Sequence, residues 1–118
     1  GREIMQKILT RYDPEDIDVL YSHNDDMTVG AIEVMRVAGI KPGKDIAIIS
    51  IDATQRSINY LKVGLINCVI ECNPNSGPLV MELARKVVAG KPVPKRTYIE
   101  EARFDEFGAV DAIANRGY

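Results

Sequence analysis

Three polar side chains lie near the ends of apolar, strand-length segments, and their types suit a ligand rich in hydroxyl groups. These are Asn24, Asp52 and Glu71. An amide and two carboxylates supply hydrogen-bond donors and acceptors that match hydroxyls, and bonds to a carboxylate are the stronger kind. Two carboxylates would repel a phosphate, so a sugar or polyol fits this set better.

Each residue also has a purely structural interpretation. Asn24 or Asp25 could cap the helix that follows, and Asp25 is the expected cap. Asp52 could cap the next helix, and Glu71 could be a solvated strand end. The one histidine, His23, is expected to pack or to support the site rather than to act as a general base.

The sequence lacks the common catalytic and metal-binding motifs. There is no Gly-x-Gly-x-x-Gly or Gly-x-x-x-x-Gly-Lys-Ser/Thr loop to hold phosphates, and no Gly-x-Ser-x-Gly elbow. Cys68 and Cys72 have no second pair, so they match no zinc spacing. Along a strand their Cα atoms would be about 13 Å apart, beyond the ~7 Å limit for a disulfide. We therefore expect no catalysis, no cofactor and no metal.

An alternation of helices and strands positions the polar residues. Helices are predicted near residues 4–9, 25–38, 54–63, 79–89 and 109–114, and strands at 19–21, 46–51, 68–70 and 97–99. This order predicts an α/β fold, a three-layer helix-sheet-helix arrangement with a mainly parallel sheet. Ligands bind beyond the carboxyl ends of such strands, where Asn24, Asp52 and Glu71 would converge.

Composition excludes several classes of function. The 118 residues include 15 Lys and Arg, 17 Asp and Glu and 46% hydrophobic residues, which is typical of one globular domain with a net charge of −2. No basic stripe indicates nucleic-acid binding, and no apolar run approaches the ~20 residues of a membrane span. The chain starts without an apolar targeting segment and resembles the middle of a helix, so we expect it to be part of a longer protein.

Several segments, in this order and spacing, resemble the periplasmic sugar-binding proteins of ABC transporters, which are type I periplasmic binding proteins. The segments are residues 19–27 (VLYSHNDDM), 30–32 (GAI), 38–46 (AGIKPGKDI), 50–52 (SID), 69–74 (VIECNP), 77–78 (GP) and 89–95 (AGKPVPK). The resemblance extends over nearly the whole chain and is strongest to proteins of the ribose- and galactofuranose-binding kind.

The resemblance implies a division of the chain. Members of the family have two α/β lobes joined by three crossovers, and they close around one sugar. This sequence matches the C-terminal portion: residues 1–72 would form the C-terminal sugar-binding lobe, 73–96 would cross to the N-terminal lobe, and 97–118 would form the return strand and tail. The helix near 79–89 would lack its own lobe, so its apolar face would be covered by folding back on the sheet or by a partner chain in a swapped homodimer.

The resemblance also implies a function. Asn24, Asp52 and Glu71 would contact the hydroxyls of a monosaccharide, although relatives often carry Gln at the position of Glu71 and Gly at that of Ala53. The aromatic residues that stack on the sugar would lie outside this chain. The expected protein is non-catalytic and periplasmic or extracytoplasmic, and its partners are the permease subunits of an ABC transporter. The alternatives are the effector-sensing core of a LacI-type transcription regulator and a sugar-modifying enzyme.

Overall fold

The computed structural model describes residues 1–108, 113 and 116–118. Its elements, in chain order, are α1 (Arg2–Arg11), a 3-10 turn (Pro14–Asp16), β1 (Val19–Tyr21), α2 (Asp25–Val37), β2 (Ala47–Asp52), α3 (Gln55–Lys62), β3 (Cys68–Glu71), α4 (Gly77–Val88) and β4 (Arg103–Asp105). The helices and strands predicted up to residue 89 are therefore confirmed, within a few residues at each end. The predicted helix over 109–114 lies outside the described residues, apart from Ile113.

The strands form one sheet in the order β1-β2-β3-β4. β1, β2 and β3 are parallel, and β4 runs antiparallel to β3. β2 is central, as its almost unbroken apolar sequence indicates. The predicted mainly parallel sheet flanked by helices is thus confirmed.

The last strand lies later in the chain than its sequence pattern predicted. Residues 97–99 form no strand, and Tyr98 is 82% exposed. β4 pairs instead through Phe104, which lies opposite Val69 and packs against the core. Burial of Phe104 against a partner strand outweighs the high β-propensity of Thr97, Tyr98 and Ile99, which have no neighbouring strand in the described structure.

Capping residues and glycines set the limits of the helices around the sheet. Asn24 caps α2 and Thr54 caps α3 by accepting bonds from backbone N–H groups. Gly39 and Gly64 follow the two helices with positive φ angles, as is usual after a helix end.

The hydrophobic core lies on one face of the sheet. Leu20, Ile48 and Val69 point to this face, since Leu20 pairs with Ile48 and Val69 pairs with Ser50, two residues further along β2. Fully buried side chains of α2 and α3 pack there, namely Ile32, Met35, Ile58 and Leu61. On the opposite face Tyr21 and Ile70 are exposed.

α4 stands apart from this core. None of its residues is buried, and Val80 and Val87 are 55% and 59% exposed. The described chain has a radius of gyration of 18.1 Å, against about 13.5 Å for a compact domain of this length. We predicted that the apolar face of this helix would be covered either by the sheet or by a partner chain. The prediction that the helix folds back onto the sheet is therefore wrong for this chain.

Gly43 should be less tolerant of substitution than Gly39. Gly43 and Gly39 both have positive φ, 76° and 80°, so alanine strains the backbone at either site. At Gly43, however, a Cβ atom would also lie 2.2 Å from the Gly64 carbonyl oxygen, whereas nothing lies within 4 Å at Gly39. We expect Gly39→Ala to lower the free energy of unfolding by about 1 kcal/mol and Gly43→Ala to lower it by clearly more, as measured by urea denaturation. Equal losses would contradict the close approach.

Candidate functional site

The structure brings the three predicted polar residues to one edge of the sheet. Asp52 and Glu71 are the last residues of β2 and β3 and are directly paired in register. Asn24 follows β1 and caps α2, and its Nδ2 donates to Asp52 Oδ2 over 2.6 Å. Asn24 and Asp52 are half-buried, and Glu71 is buried. The carboxyl edge of the sheet is therefore the candidate site.

Asn24 combines two tasks in one side chain. Its Oδ1 accepts from the backbone amides of Asp26 and Met27, at 3.0 and 3.2 Å, which leaves the Nδ2 group to face Asp52. Asn24 rather than Asp25 is thus the N-cap of α2, so the expectation for Asp25 is wrong. Because the cap fixes the amide orientation, Asn24 presents donors, not an acceptor, towards the site.

Asp52 begins a strained turn between β2 and α3. Its φ is 118°, and that of the buried Ala53 is 64°. Non-glycine residues with positive φ are uncommon and cost on the order of 1–3 kcal/mol each, so the surrounding structure must hold the turn in place. Asp52 does not cap α3, because Thr54 does. The strained backbone instead leaves the Asp52 carboxylate at the sheet edge beside Asn24.

Asp25 lies beneath this pair and is almost completely buried, at 2% exposure. Its Oδ1 accepts from the Ser50 hydroxyl at 2.5 Å, and its Oδ2 accepts from the Thr54 amide at 2.7 Å and the Thr54 hydroxyl at 2.8 Å. The Ser50 and Thr28 hydroxyls are 2.7 Å apart, and the Thr28 hydroxyl also lies 2.9 Å from the Asn24 carbonyl oxygen. One buried carboxylate thus connects α2, β2 and the start of α3.

Glu71 is held by the C-terminal residues of the chain. Its Oε1 accepts from the Tyr118 hydroxyl at 2.5 Å and from the Arg116 guanidinium, and its Oε2 accepts from the Ala102 amide at 2.9 Å. Burial opposes ionisation of this group, but the bonds from Tyr118, Arg116 and Ala102 outweigh it and hold the pKa of Glu71 below its ordinary value. Glu71 is therefore an anchored carboxylate rather than a solvated strand end.

The other residues that the sequence analysis considered are His23, Cys68 and Cys72. His23 is exposed, and its ring contacts the Tyr21 ring edge-on with centroids 5.2 Å apart. Cys68 and Cys72 are free thiols. In the described part of the chain, no three His, Cys, Asp or Glu side chains gather as a metal site would require. No described helix has both the length and the apolar character needed to cross a membrane.

Sequence reasoning missed the contacts beneath and beside the site. Nothing local indicates that Arg116 and Tyr118 meet Glu71, because more than forty residues separate them. A signal for the Asp25 network did exist: Ser50 is the only polar residue within the apolar run 46–51, and a hydroxyl buried in a central strand needs a hydrogen-bond partner.

The chain belongs to the periplasmic binding protein domain family, whose model matches residues 1–92. The parallel sheet with polar residues at its carboxyl edge is consistent with that assignment. The match includes every element from α1 to α4, together with Asn24, Asp52 and Glu71.

The proteins similar to this chain include two curated proteins and one solved structure. The galactofuranose-binding protein YtfQ of Escherichia coli is 39% identical over 80 residues, covering 66% of this chain and 25% of the relative. The fructose import binding protein FruE of Bifidobacterium longum is 33% identical over 115 residues, covering 98% and 35%. A Mycobacterium smegmatis structure in complex with beta-D-fucofuranose is 43% identical with a TM-score of 0.86, covering 95% and 36%. The chain thus spans about a quarter to a third of the length of each of these three proteins.

The Glu71 anchor predicts a pH-dependent contribution to stability. Because the folded-state pKa is below the ordinary value of 4.5, the stabilisation is complete above pH 4.5 and is lost as the pH falls through the lower folded value. At pH 7 we expect Glu71→Gln to lower the free energy of unfolding by about 1.5–3 kcal/mol. As the pH falls from 4.5 towards the folded pKa, the difference between wild type and variant should shrink.

The measurement is urea denaturation of both proteins from pH 7 to pH 3. Glu100→Gln, the same change at an exposed residue, is the control and should have little effect at any pH. A difference between wild type and Glu71→Gln that stays constant over this range would contradict the anchor.

Proposed function

We propose that this chain is the C-terminal lobe of a non-catalytic substrate-binding protein that binds a monosaccharide and delivers it to an ABC transporter. The observation that carries the proposal is the bonded pair of Asn24 and Asp52 at the carboxyl edge of the parallel sheet. Ligands of open α/β sheets bind at such edges.

The geometry of the pair matches neighbouring hydroxyl groups. One Nδ2 hydrogen of Asn24 is used by Asp52, which leaves the second for a ligand oxygen. Among the described residues Asp52 Oδ2 accepts from Asn24 Nδ2 and, at 3.5 Å, from the Asp25 amide, while Oδ1 has no donor. A donor and a charged acceptor side by side can bind two adjacent sugar hydroxyls, one accepting and the other donating.

The assignment of Glu71 to the ligand stays part of this proposal. Its oxygens already accept three bonds from the chain, so any ligand contact would share a carboxylate that the C-terminal residues hold in place. We therefore expect Glu71 to contribute less to sugar affinity than Asp52.

The similar proteins support a sugar as the ligand. Two are named for galactofuranose binding and fructose import, and the third is a structure in complex with beta-D-fucofuranose. All are described by binding or import and none by turnover, which favours a binding protein over a sugar-modifying enzyme. Nothing in these names favours the LacI-type regulator. We propose an extracytoplasmic location and a permease partner on the same basis.

The division of the chain remains as the resemblance implied it. We propose that residues 1–72 form the C-terminal lobe, that 73–96 cross to the N-terminal lobe, and that 97–118 return to form a strand and tail, the strand being β4. The support is that α4 has no buried residue and that residues 91–100 are all exposed, as expected for a segment that packs on another lobe.

Ligand titration tests the binding proposal. It uses the two-lobed protein, meaning the longer protein of which we propose this chain to be the C-terminal lobe. Asn24→Ser keeps an oxygen to cap α2 but removes the amide donor, and Asp52→Asn removes the charge at constant size. We expect either change to weaken monosaccharide binding about 10- to 100-fold, because bonds to charged groups contribute roughly 1.5–3 kcal/mol. Isothermal titration calorimetry with D-galactose, D-fucose and D-fructose measures this effect.

Asp26→Asn is the matched control, since Asp26 is exposed and lies in the same helical turn. It should leave the affinity within about twofold. Wild-type affinity in both Asn24→Ser and Asp52→Asn would show that these residues do not bind the sugar.

Hydrogen exchange of α4 tests the division into lobes. We expect the α4 amides to exchange quickly in the isolated 118-residue chain, where the helix has no buried side chain, and at least 100-fold more slowly in the two-lobed protein. Equal exchange in both would contradict the proposed crossing. Slow exchange in an isolated chain with the mass of a dimer would indicate the swapped homodimer instead.

A further inference from the structure

Asp25 is a carboxylate that the binding proposal does not use. It is 2% exposed, so it has no surface from which to contact a sugar, yet it lies directly after Asn24 in the chain. A buried carboxylate is costly unless hydrogen bonds stabilise it. Its bonding partners indicate which parts of the site it controls.

The partners of Asp25 are located on both sides of the strained turn. Ser50 precedes Asp52 by two residues, and Thr54 follows it by two, and both donate to the Asp25 carboxylate. The bonds of Asp25 therefore hold together the two ends of the segment in which Asp52 and Ala53 adopt positive φ. Backbone strain of this kind persists only where surrounding contacts fix it.

The same residue fixes Asn24. Asp25 occupies the first turn of α2, and its bond to Ser50 joins that turn to β2. Thr28 adds a second link, because its hydroxyl lies 2.7 Å from the Ser50 hydroxyl and 2.9 Å from the Asn24 carbonyl oxygen, and its proton can be donated to either. The 2.6 Å contact between Asn24 and Asp52 thus depends on the position of two elements that Asp25 connects.

We propose that Asp25 is the positioning residue of the sugar site: through Ser50 and Thr54 it holds Asn24 and Asp52 in the geometry that binds adjacent hydroxyls. The inference rests on the proposed function, since it assigns to Asp25 a role in ligand affinity beyond its role in folding.

Two substitutions in the two-lobed protein test the proposal. Asp25→Asn puts an amide in place of one oxygen acceptor, and we expect it to weaken binding of D-galactose and D-fucose at least tenfold. Ser50→Ala removes one link and keeps the carboxylate, so it should weaken binding about fivefold. If Asp25→Asn does not fold, the sugar affinity of the less disruptive Ser50→Ala variant tests the proposal.

Each variant has a matched control. Asp26→Asn changes an exposed carboxylate in the same turn, and Ser57→Ala removes an equally buried hydroxyl whose one bond to the described residues goes to the Thr54 carbonyl. Both controls should bind sugar within twofold of wild type. Ser57→Ala also shows what a loss of melting temperature alone does to affinity.

A double-substitution experiment separates positioning from stability. If Ser50→Ala acts through Asp52, it should cost little further affinity in the Asp52→Asn background, as measured by NMR titration at millimolar sugar. Equal affinity of Ser50→Ala and Ser57→Ala, or a full fivefold additional loss in that background, would overturn the proposal.

The outcomes also distinguish this proposal from the function on which it rests. If wild-type protein binds none of D-galactose, D-fucose and D-fructose, or if Asp52→Asn and Asn24→Ser bind normally, the proposed function fails and the positioning role fails with it. If those two variants weaken binding while Asp25→Asn and Ser50→Ala do not, only the positioning role is wrong.

Discussion

The burial of one carboxylate constrains the whole carboxyl edge of the sheet. Burying the Asp25 carboxylate is costly unless hydrogen-bond donors surround it, and the donors are Ser50 on β2 and Thr54 at the start of α3. Satisfying this requirement fixes the start of α2 against β2 and closes the turn at Asp52. The distance between the Asn24 and Asp52 side chains, which face outward, therefore depends on this buried network.

Two different carboxylates meet at this edge, and their environments separate their roles. Asp52 is half-buried and accepts at Oδ2 from Asn24 Nδ2 and the Asp25 amide, whereas its Oδ1 has no donor among the described residues. Glu71 is enclosed by Arg116, Tyr118 and Ala102, which stabilise its charge from within the chain. Glu71, with both oxygens bonded inside the chain, holds the C-terminal residues against β3, and the proposal assigns the hydroxyl contact to Asp52, which has one oxygen without a donor among the described residues.

The uncovered surfaces of the chain are consistent with membership of a larger protein. α4 has no buried residue, and the face of the sheet opposite the core exposes Tyr21 and Ile70. Apolar surfaces of this kind are typical of interfaces. The family match and the length of the similar proteins agree with this interpretation, because the chain spans 25% to 36% of the three proteins compared.

The local pattern of the sequence was sufficient to predict the order of elements from α1 to α4, the central position of β2 and the convergence of Asn24, Asp52 and Glu71. Helical spacing, caps and apolar runs act over a few residues and are visible in one dimension. Contacts between distant residues decided the rest: the strand at Phe104 rather than Tyr98, the cap at Asn24 rather than Asp25, and the enclosure of Glu71 by Arg116 and Tyr118. Strand propensity and capping preference each allow more than one position in the local sequence. Burial against a residue far along the chain determines which position is used.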